Sequence, residues 1–300
     1  MTGPRTLAAL VMILWAACYP LIAVGLPDAP HLTFAALRAL LAGGTLLAIA
    51  GVRQHQLPSG AAEWGWICLA GICMTSLGYF GMFHASEFVS PGLATVIESL
   101  QPMITGLLAF ILLQERLSPA NWAGLVVGAS GIALIAAPKI LAAGGDSTLL
   151  GIGFVAIATG GVAAGNIAIK NVSARVEASM AMGLQFVIGA VPLALLAAIG
   201  LDPFAITWSA SFTLSLIILA LPGTALAYWL WQKVLQSLDV SQAASFSFLI
   251  PLIGVSTGSA FFRETVGVNT VLGAALAATG VYLASSRTPG AAFSPGGHDN

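Results

Sequence analysis

The sequence predicts an all-α polytopic membrane protein with ten transmembrane helices, arranged as two inverted repeats of five helices each. Three observations predict this fold class. The composition is too apolar for a water-exposed surface, the apolar residues fall in runs long enough to cross a bilayer, and the second half of the chain repeats the pattern of the first half. Together they place nearly the whole chain inside a membrane.

The composition excludes an ordinary soluble protein. Of the 300 residues, 58% are hydrophobic and 7% are charged, whereas a soluble domain has roughly 25% charged residues. Ten Lys or Arg and eleven Asp or Glu nearly cancel, so the charge does not predict a nucleic acid as partner. The cysteines Cys18, Cys68 and Cys73 lie inside apolar runs without metal or disulfide spacing. The lipid bilayer is the predicted partner, and no metal or cofactor is expected.

Ten apolar runs are long enough to be transmembrane helices. A helix needs about 20 residues to cross the hydrocarbon core, and polar residues, Pro and Gly divide the chain into runs of that length. The predicted spans, which we number one to ten, cover residues 6–26, 33–51, 64–84, 91–113, 119–138, 149–170, 179–199, 210–233, 241–262 and 268–286. The connections are short, so consecutive spans are predicted to be antiparallel.

Basic residues predict which ends of the spans face the cytoplasm, because cytoplasmic loops retain Lys and Arg. With a cytoplasmic N-terminus, only Lys139 and Arg263 lie on the outer side, and Arg38 lies a little inside the second span near its outer end. Both termini are therefore predicted to be cytoplasmic. The basic residues on that side are Arg5, Arg53, Arg116, Lys170, Arg175, Lys233 and Arg287.

The two halves of the chain repeat at an offset of 149 residues. Tyr79, Pro102, Glu115, Gly124 and Gly131 recur without a gap as Tyr228, Pro251, Glu264, Gly273 and Gly280. Five spans per half is an odd number, so the second half enters the membrane with opposite polarity. Inverted repeats of this kind are typical of carriers that alternate access around a midplane site. The predicted units are residues 1–140 and 141–286, followed by a disordered cytoplasmic tail at 287–300.

One motif occurs in each half: a helix with a central proline, a Glu thirteen residues later, and then a Gly-rich helix. It runs Pro102…Glu115-Arg116…Gly124…Gly131 and Pro251…Glu264…Gly273…Gly280. With this motif the chain resembles the ten-helix EamA branch of the drug/metabolite transporter superfamily. Within that branch it is most similar to the YddG-type exporters of aromatic amino acids, by overall similarity and not by a diagnostic motif.

The resemblance implies an exporter or permease for metabolites, placed in the bacterial inner membrane. It also implies a central cavity lined by spans 1, 3, 4, 6, 8 and 9, with spans 5 and 10 at the periphery. One position departs from the pattern. Glu264 is followed by Thr265 where the first half has Arg116, so a role of the Glu-Arg pair is not expected in both halves.

Aromatic and polar residues inside the spans are the predicted substrate contacts. Tyr79 and Tyr228 are repeat-related and lie within spans 3 and 8, which favours the cavity over the alternative, an interfacial aromatic belt. Tyr19 and Asn166 align at an offset of 147 residues, and each brings hydrogen-bonding groups into a span. The predicted cavity residues are Trp15, Tyr19, Tyr79, Phe83, Glu98, Asn166, Tyr228, Trp229 and Gln232.

Prolines and glycines inside the spans predict local helix geometry. Pro20, Pro102 and Pro251 predict kinks, because a proline removes one backbone donor from the helix. Gly124, Gly128 and Gly131 in span 5 predict close helix packing without a functional role.

Glu98 is an acidic residue deep within a predicted span, where an ionisable group is costly and is a functional candidate. Arg38 enters the second span from the same side and lies at a similar depth, roughly 10 Å. Two interpretations stay open. The two residues form a structural ion pair, or Glu98 faces the cavity and binds a proton or a substrate ammonium group. An inert, protonated Glu98 is the third alternative.

The sequence predicts a transporter and not an enzyme, since it lacks the His-Glu-x-x-His and Gly-x-Ser-x-Gly motifs. Few fixed charges and many aromatic residues favour an amino acid, aromatic or large and neutral, as the exported solute. The alternative is a multidrug or lipophilic-cation exporter of the same superfamily. A membrane receptor or scaffold that transports nothing is the alternative from a different functional class. The predicted partners are this small molecule and the bilayer, and the expected state is a monomer or homodimer.

Overall fold

The computed structural model describes residues 3–89, 94, 97–98, 101–115, 117–143, 146–199, 205–250, 253 and 267–284, and every regular element in these ranges is a helix. Six segments are long and apolar enough to cross a membrane: Pro4–Asp28, His31–Val52, Ala61–Phe88, Leu149–Val172, Ala178–Ile199 and Ala210–Ser237. Shorter apolar helices cover Gln101–Leu112, Pro119–Ile135 and Val271–Ala284. The predicted all-α polytopic membrane fold is confirmed, and helices suit a bilayer because each satisfies its own backbone groups.

The helices follow the predicted spans closely, but several spans consist of more than one helical segment. The α-helices are Pro4–Ala16, Cys18–Gly25, His31–Val52, Ala61–Ala70, Gly78–Phe88, Gln101–Leu112, Pro119–Ala143, Asp146–Val172, Ala178–Ile199, Ala210–Ala220, Ala227–Ser237, Val240–Ser245 and Val268–Ala284. Two 3₁₀ segments, Leu26–Asp28 and Phe246–Phe248, extend spans 1 and 9.

The first span is interrupted at Ala17, between the helices Pro4–Ala16 and Cys18–Gly25. Pro20 causes the interruption, because its ring nitrogen has no hydrogen to donate to the carbonyl of Ala16 one turn earlier. The interruption lies within one turn of Pro20, the position at which the sequence predicts a kink.

Spans 3 and 8 each contain a π-helical segment, a feature that the hydropathy pattern did not predict. The segments are Gly71–Leu77 and Leu221–Leu226. Their last residues, Leu77 and Leu226, are 149 residues apart, so the widened turn recurs at the repeat offset. Such segments are frequent at functional sites. Tyr79 and Tyr228 each follow two residues later.

Spans 5 and 10 pack through reciprocal glycine contacts. A Cβ atom on Gly131 would lie 2.5 Å from the carbonyl oxygen of Gly273, and one on Gly273 would lie 2.6 Å from that of Gly131. The same holds for Gly124 and Gly280, at 2.8 Å in both directions. Because Gly124 corresponds to Gly273 and Gly131 to Gly280, the repeat exchanges one contact for the other. The predicted packing role of Gly124 and Gly131 agrees with these contacts.

Six of the remaining spans pack in pairs that the repeat relates. Span 2 packs against span 7, span 3 against span 6, and span 1 against span 8. Exchanging the halves maps the second of these pairs onto the third. This arrangement brings one face of spans 1, 3, 6 and 8 together at the middle of the bundle.

Several predictions fall outside the described residues. They concern Pro251, Glu264, Arg116 and the predicted tail at 287–300. A kink at Pro102 involves residues 99 and 100, which also lie outside, although Pro102 itself is buried.

Candidate functional site

A small cavity of about 40 Å³ lies at the centre of the bundle. On this measure one water molecule needs about 10–15 Å³, so the cavity has room for a few waters and not for a larger solute. Its walls come from the spans that the resemblance implies and, through Arg38, also from span 2. The lining residues are Trp15, Cys18, Tyr19, Arg38, Gly78, Tyr79, Met82, Glu98, Gln101, Val162, Tyr228, Ser247 and Ile250.

The cavity lies where the two halves meet, because repeat-related residues line it from both sides. Tyr79 and Tyr228 are one such pair, 149 residues apart. Three further pairs differ in polarity, with the larger or more polar member in the first half: Trp15 with Val162, Glu98 with Ser247, and Gln101 with Ile250. The first half therefore supplies most of the polar wall.

Arg38 is 1% exposed and is held by neutral groups. Its Nε donates to Thr224 Oγ1 at 2.9 Å, and one terminal nitrogen contacts Cys18 Sγ at 3.3 Å. The guanidinium carbon lies 4.4 Å from the ring centroid of Tyr79, a cation–π geometry. These contacts fix the guanidinium group at the cavity wall without neutralising its charge.

The sequence left open an ion pair between Arg38 and Glu98, and the structure does not contain it. Both residues line the cavity, but in the part of the chain that the structure describes no nitrogen of Arg38 approaches Glu98 within ion-pair distance. The reason is geometric, since Thr224, Cys18 and Tyr79 hold the guanidinium group. The guanidinium group of Arg38 and the carboxyl group of Glu98 face the same space separately.

Two polar groups in the cavity wall lack a standard hydrogen bond. The indole nitrogen of Trp15 has no partner among the described residues. The Tyr19 hydroxyl faces the Glu98 carboxyl group but meets no partner there at standard hydrogen-bond geometry, again among the residues described. Buried groups of this kind are usually satisfied, so a ligand or water in the cavity would stabilise them.

Aromatic rings form the other wall. Trp15 packs against Tyr228 with ring centroids 5.0 Å apart, and Tyr228 packs edge-on against Phe186 at 4.9 Å. The predicted residues Trp15, Tyr19, Tyr79 and Tyr228 are thus brought together.

Four predicted cavity residues lie elsewhere. Phe83 is buried against Phe34, with ring centroids 5.2 Å apart. Asn166 accepts a hydrogen bond from Trp231 Nε1 at 2.7 Å, and Gln232 donates to the carbonyl of Val176 at 2.9 Å. Trp229 faces a groove on the bundle surface. In span 8 successive residues point about 100° apart, so the orientation that aims Tyr228 inward turns Trp229 outward.

Other lining residues were missed by the sequence reasoning, among them Gln101, Val162 and Ile250. The repeat contained a signal for Val162, which is the counterpart of the predicted cavity residue Trp15, but Gln101 and Ile250 are counterparts of each other and neither had been predicted. Val162 and Trp15 are 147 residues apart, and Gln101 and Ile250 are 149 apart.

Polar contacts close the bundle at the end that carries Lys170. The Lys170 ammonium group donates to the carbonyl oxygens of Leu235 at 2.6 Å and Leu238 at 2.7 Å. Nearby, the Glu115 carboxylate accepts bonds from the backbone nitrogen of Val240 at 2.7 Å and from the hydroxyl of Ser241 at 2.6 Å. Glu115 therefore caps the start of span 9 and joins it to the end of span 4.

Apolar helical spans packed around a small central cavity define a polytopic membrane protein. The chain belongs to the EamA-like transporter family, which matches it twice, over residues 5–137 and 149–286. It is a membrane transporter with a small-molecule substrate and not an enzyme.

Similar proteins span nearly the whole chain. The uncharacterized transporter YvbV of Bacillus subtilis is 28% identical over 96% of this chain and 93% of its own length. A probable amino-acid metabolite efflux pump of Escherichia coli is 26% identical over 92% and 93%. A probable terminal-alkyne amino-acid exporter of Streptantibioticus cattleyicolor is 28% identical over 94% and 93%. A solved crystal structure has the same fold, with a TM-score of 0.75 at 18% identity over 94% of this chain and 96% of its own.

Proposed function

We propose that this transporter exports amino acids, aromatic or large and neutral ones above all, by alternating access around the central cavity. The observation that carries the proposal is that Arg38 and Glu98 line one cavity without pairing with each other. A zwitterion carries the two complementary charges on adjacent groups. It would therefore satisfy both residues at once.

Each part of the cavity matches one part of such a solute. The Arg38 guanidinium group suits the substrate carboxylate, and the Glu98 carboxylate suits the ammonium group. The rings of Trp15, Tyr79 and Tyr228 suit an aromatic or large apolar side chain. A buried charge in a membrane protein is stable where it has a partner, so the unoccupied state favours solute or proton uptake at Glu98.

The cavity volume indicates how transport would proceed. About 40 Å³ is too small for an amino acid, so the bundle has to open for loading and release. We propose that residues 1–140 and 141–286 move against each other as inverted repeats. The contacts of Lys170 and Glu115 hold one end of the bundle shut. We propose that this end is the cytoplasmic one, because the distribution of basic residues favours a protein of the bacterial inner membrane with both termini in the cytoplasm.

The names of similar proteins support an amino-acid substrate. A probable amino-acid metabolite efflux pump and a probable terminal-alkyne amino-acid exporter each align over more than nine-tenths of the chain. The second candidate is export of lipophilic cations, which Glu98 and the aromatic wall favour. The positive charge of Arg38 in the same cavity disfavours it.

A counterflow experiment tests the proposal. The purified protein is reconstituted into proteoliposomes loaded with phenylalanine, leucine or a cationic dye, and uptake of the labelled solute is followed. We expect saturable uptake of the amino acids. Uptake of the dye alone would favour the lipophilic-cation exporter, and no saturable flux of any solute would favour a receptor or scaffold.

Tyrosine variants link the flux to the cavity. Tyr79→Ala and Tyr228→Ala should each lower phenylalanine uptake, because each removes a ring from the cavity wall. Tyr282→Ala is the matched control, since Tyr282 is 76% exposed and lies outside the cavity. An equal loss in all three variants would contradict the assignment of the cavity.

A further inference from the structure

A groove of about 300 Å³ lies on the surface of the bundle between spans 2, 7 and 8, separate from the central cavity. Among the residues that the structure describes, none lines both spaces. The groove is lined by Thr45, Leu46, Ile49, Arg53, Ser179, Leu221, Ala225, Leu226 and Trp229. Its walls are apolar along most of their length, and its charged residue is at one end.

The groove opens toward the lipid. Ile49 is 40% exposed and Leu226 is 44% exposed, and both lie inside spans that cross the membrane. The π-helical segment Leu221–Leu226 contributes three of the lining residues. The widened turn of this segment therefore forms part of the groove wall that faces span 2.

The same recess is closed in the other half, so it is not a general consequence of the fold. The equivalent interface joins spans 3 and 7, where the backbones meet at Gly71 and Gly189. There Ser76 donates a hydrogen bond to the carbonyl of Gly189 at 2.7 Å. Ala225 lies 149 residues after Ser76 and is its counterpart in the second half. Its methyl group cannot form the hydrogen bond that joins the two spans in the first half.

Positive charge gathers at one end of the groove. Arg53 lines it directly, at the end of span 2, and the ammonium group of Lys233 lies 4.6 Å from the ring centroid of Trp229. The opposing charge is Glu177, which contacts His55 at 3.0 Å and accepts a hydrogen bond from the backbone of Ser179. Glu177 is thus engaged by its neighbours. No acidic residue within the described ranges forms an ion pair with Arg53.

We propose that this groove binds an anionic phospholipid, with an acyl chain between spans 2 and 8 and the phosphate group at Arg53 and Lys233. The charge of the groove end complements a phosphate, and an apolar recess leading away from basic residues at the membrane surface matches a lipid better than a soluble anion. The basic residues lie at the end predicted to be cytoplasmic. The bound lipid therefore belongs to the cytoplasmic leaflet, and its binding does not depend on which solute is transported.

Lipid titration monitored by native mass spectrometry tests the proposal on the purified full chain. Dioleoylphosphatidylglycerol and dioleoylphosphatidylcholine have the same acyl chains and differ in headgroup charge. We expect tighter binding of phosphatidylglycerol. Arg53→Gln should reduce this preference about fivefold, the effect of one basic residue at a membrane surface.

Two further variants distinguish the groove from general charge attraction. Arg175→Gln removes an exposed basic residue at the same end of the bundle that does not line the groove, and should leave the preference unchanged. Ala225→Phe should fill the groove and weaken the binding of both lipids equally. If that variant does not fold, Ile49→Ser replaces it, because it removes apolar contact with the acyl chain and should also weaken both lipids equally. Three outcomes would each overturn the proposal. The wild type shows no preference for phosphatidylglycerol, Arg53→Gln and Arg175→Gln lower that preference equally, or phenylalanine displaces the bound lipid.

Discussion

Arg38 and Gln185 occupy equivalent positions in the two halves, 147 residues apart, and each bonds a threonine of a neighbouring span. Arg38 Nε donates to Thr224 Oγ1 at 2.9 Å, and Thr75 Oγ1 donates to Gln185 Oε1 at 3.0 Å. Thr75 and Thr224 are themselves 149 residues apart. The repeat thus preserves a hydrogen bond to a threonine in both halves. At this position only the first half has a charged residue, and the guanidinium group of Arg38 lines the cavity.

Replacing Arg38 with glutamine should separate folding from transport. A Gln side chain has an amide nitrogen that can donate to Thr224, and Gln185 at the equivalent position also bonds a threonine, by accepting from Thr75. We therefore expect the variant to insert normally and to melt within a few degrees of the wild type. Amino-acid counterflow should fall at least about tenfold, since charge-assisted bonds contribute about 1.5–3 kcal/mol. Arg175→Gln is the control for the loss of one positive charge, and unchanged flux in Arg38→Gln would rule out carboxylate binding by Arg38.

The double variant Arg38→Gln/Glu98→Gln tests whether the two charges act as a pair. Because no direct ion pair joins them in the described residues, removing one should not strand the other. We expect the double variant to transport no better than the slower single variant. Restored flux would show that the pair exists in another conformation, and an unchanged flux of Glu98→Gln at every pH would exclude proton coupling at Glu98.

Two adjacent glycines in span 6 should respond differently to alanine. A Cβ on Gly161 would collide with the carbonyl oxygen of Cys73 in span 3, whereas one on Gly160 would meet nothing within 4 Å. Gly161→Ala should lower stability by about 1–3 kcal/mol through overpacking. Gly160→Ala should be neutral or stabilising by up to about 1 kcal/mol, the helix propensity difference. Thermal unfolding in detergent measures both, and equal effects would mean that spans 3 and 6 do not pack this closely.

Glu177, in the connection between spans 6 and 7, should contribute a pH-dependent stabilisation. Its burial opposes ionisation, but hydrogen bonds from Ser179 and the charges of His55 and Lys233 outweigh this and hold the pKa of Glu177 below its ordinary value. A carboxyl group with a lowered folded-state pKa stabilises the protein above its unfolded-state pKa and loses that effect as the pH falls through the folded-state pKa.

Glu177→Gln should therefore be less stable than the wild type near neutral pH, by less than about 1 kcal/mol because the carboxylate is partly exposed. The difference should vanish in acid. Thermal unfolding of both proteins between neutral and acidic pH measures it, and Ser179→Ala, which removes one of the bonds, should show a smaller effect of the same sign. A difference independent of pH would contradict this role of the charge.

The class of protein and the positions of its spans follow from local properties of the sequence. Twenty apolar residues in a row require a membrane, since a helix of them has no soluble surface. The repeat was visible in residues such as Tyr79 and Tyr228, and both tyrosines line the cavity because the repeat reproduces the helix geometry of the first half in the second. The glycine pattern of span 5 likewise predicted the packing observed.

Only the tertiary structure decided which neighbours each buried polar group meets. Arg38 and Glu98 enter the membrane at similar depths, which made an ion pair plausible, but depth does not specify the rotation of a helix about its axis. That rotation is set by packing between spans, and it places Arg38 against Thr224, 186 residues away in the sequence. The same rotation turns Trp229 outward to the groove while Tyr228 points inward, because neighbouring residues on a helix lie about 100° apart.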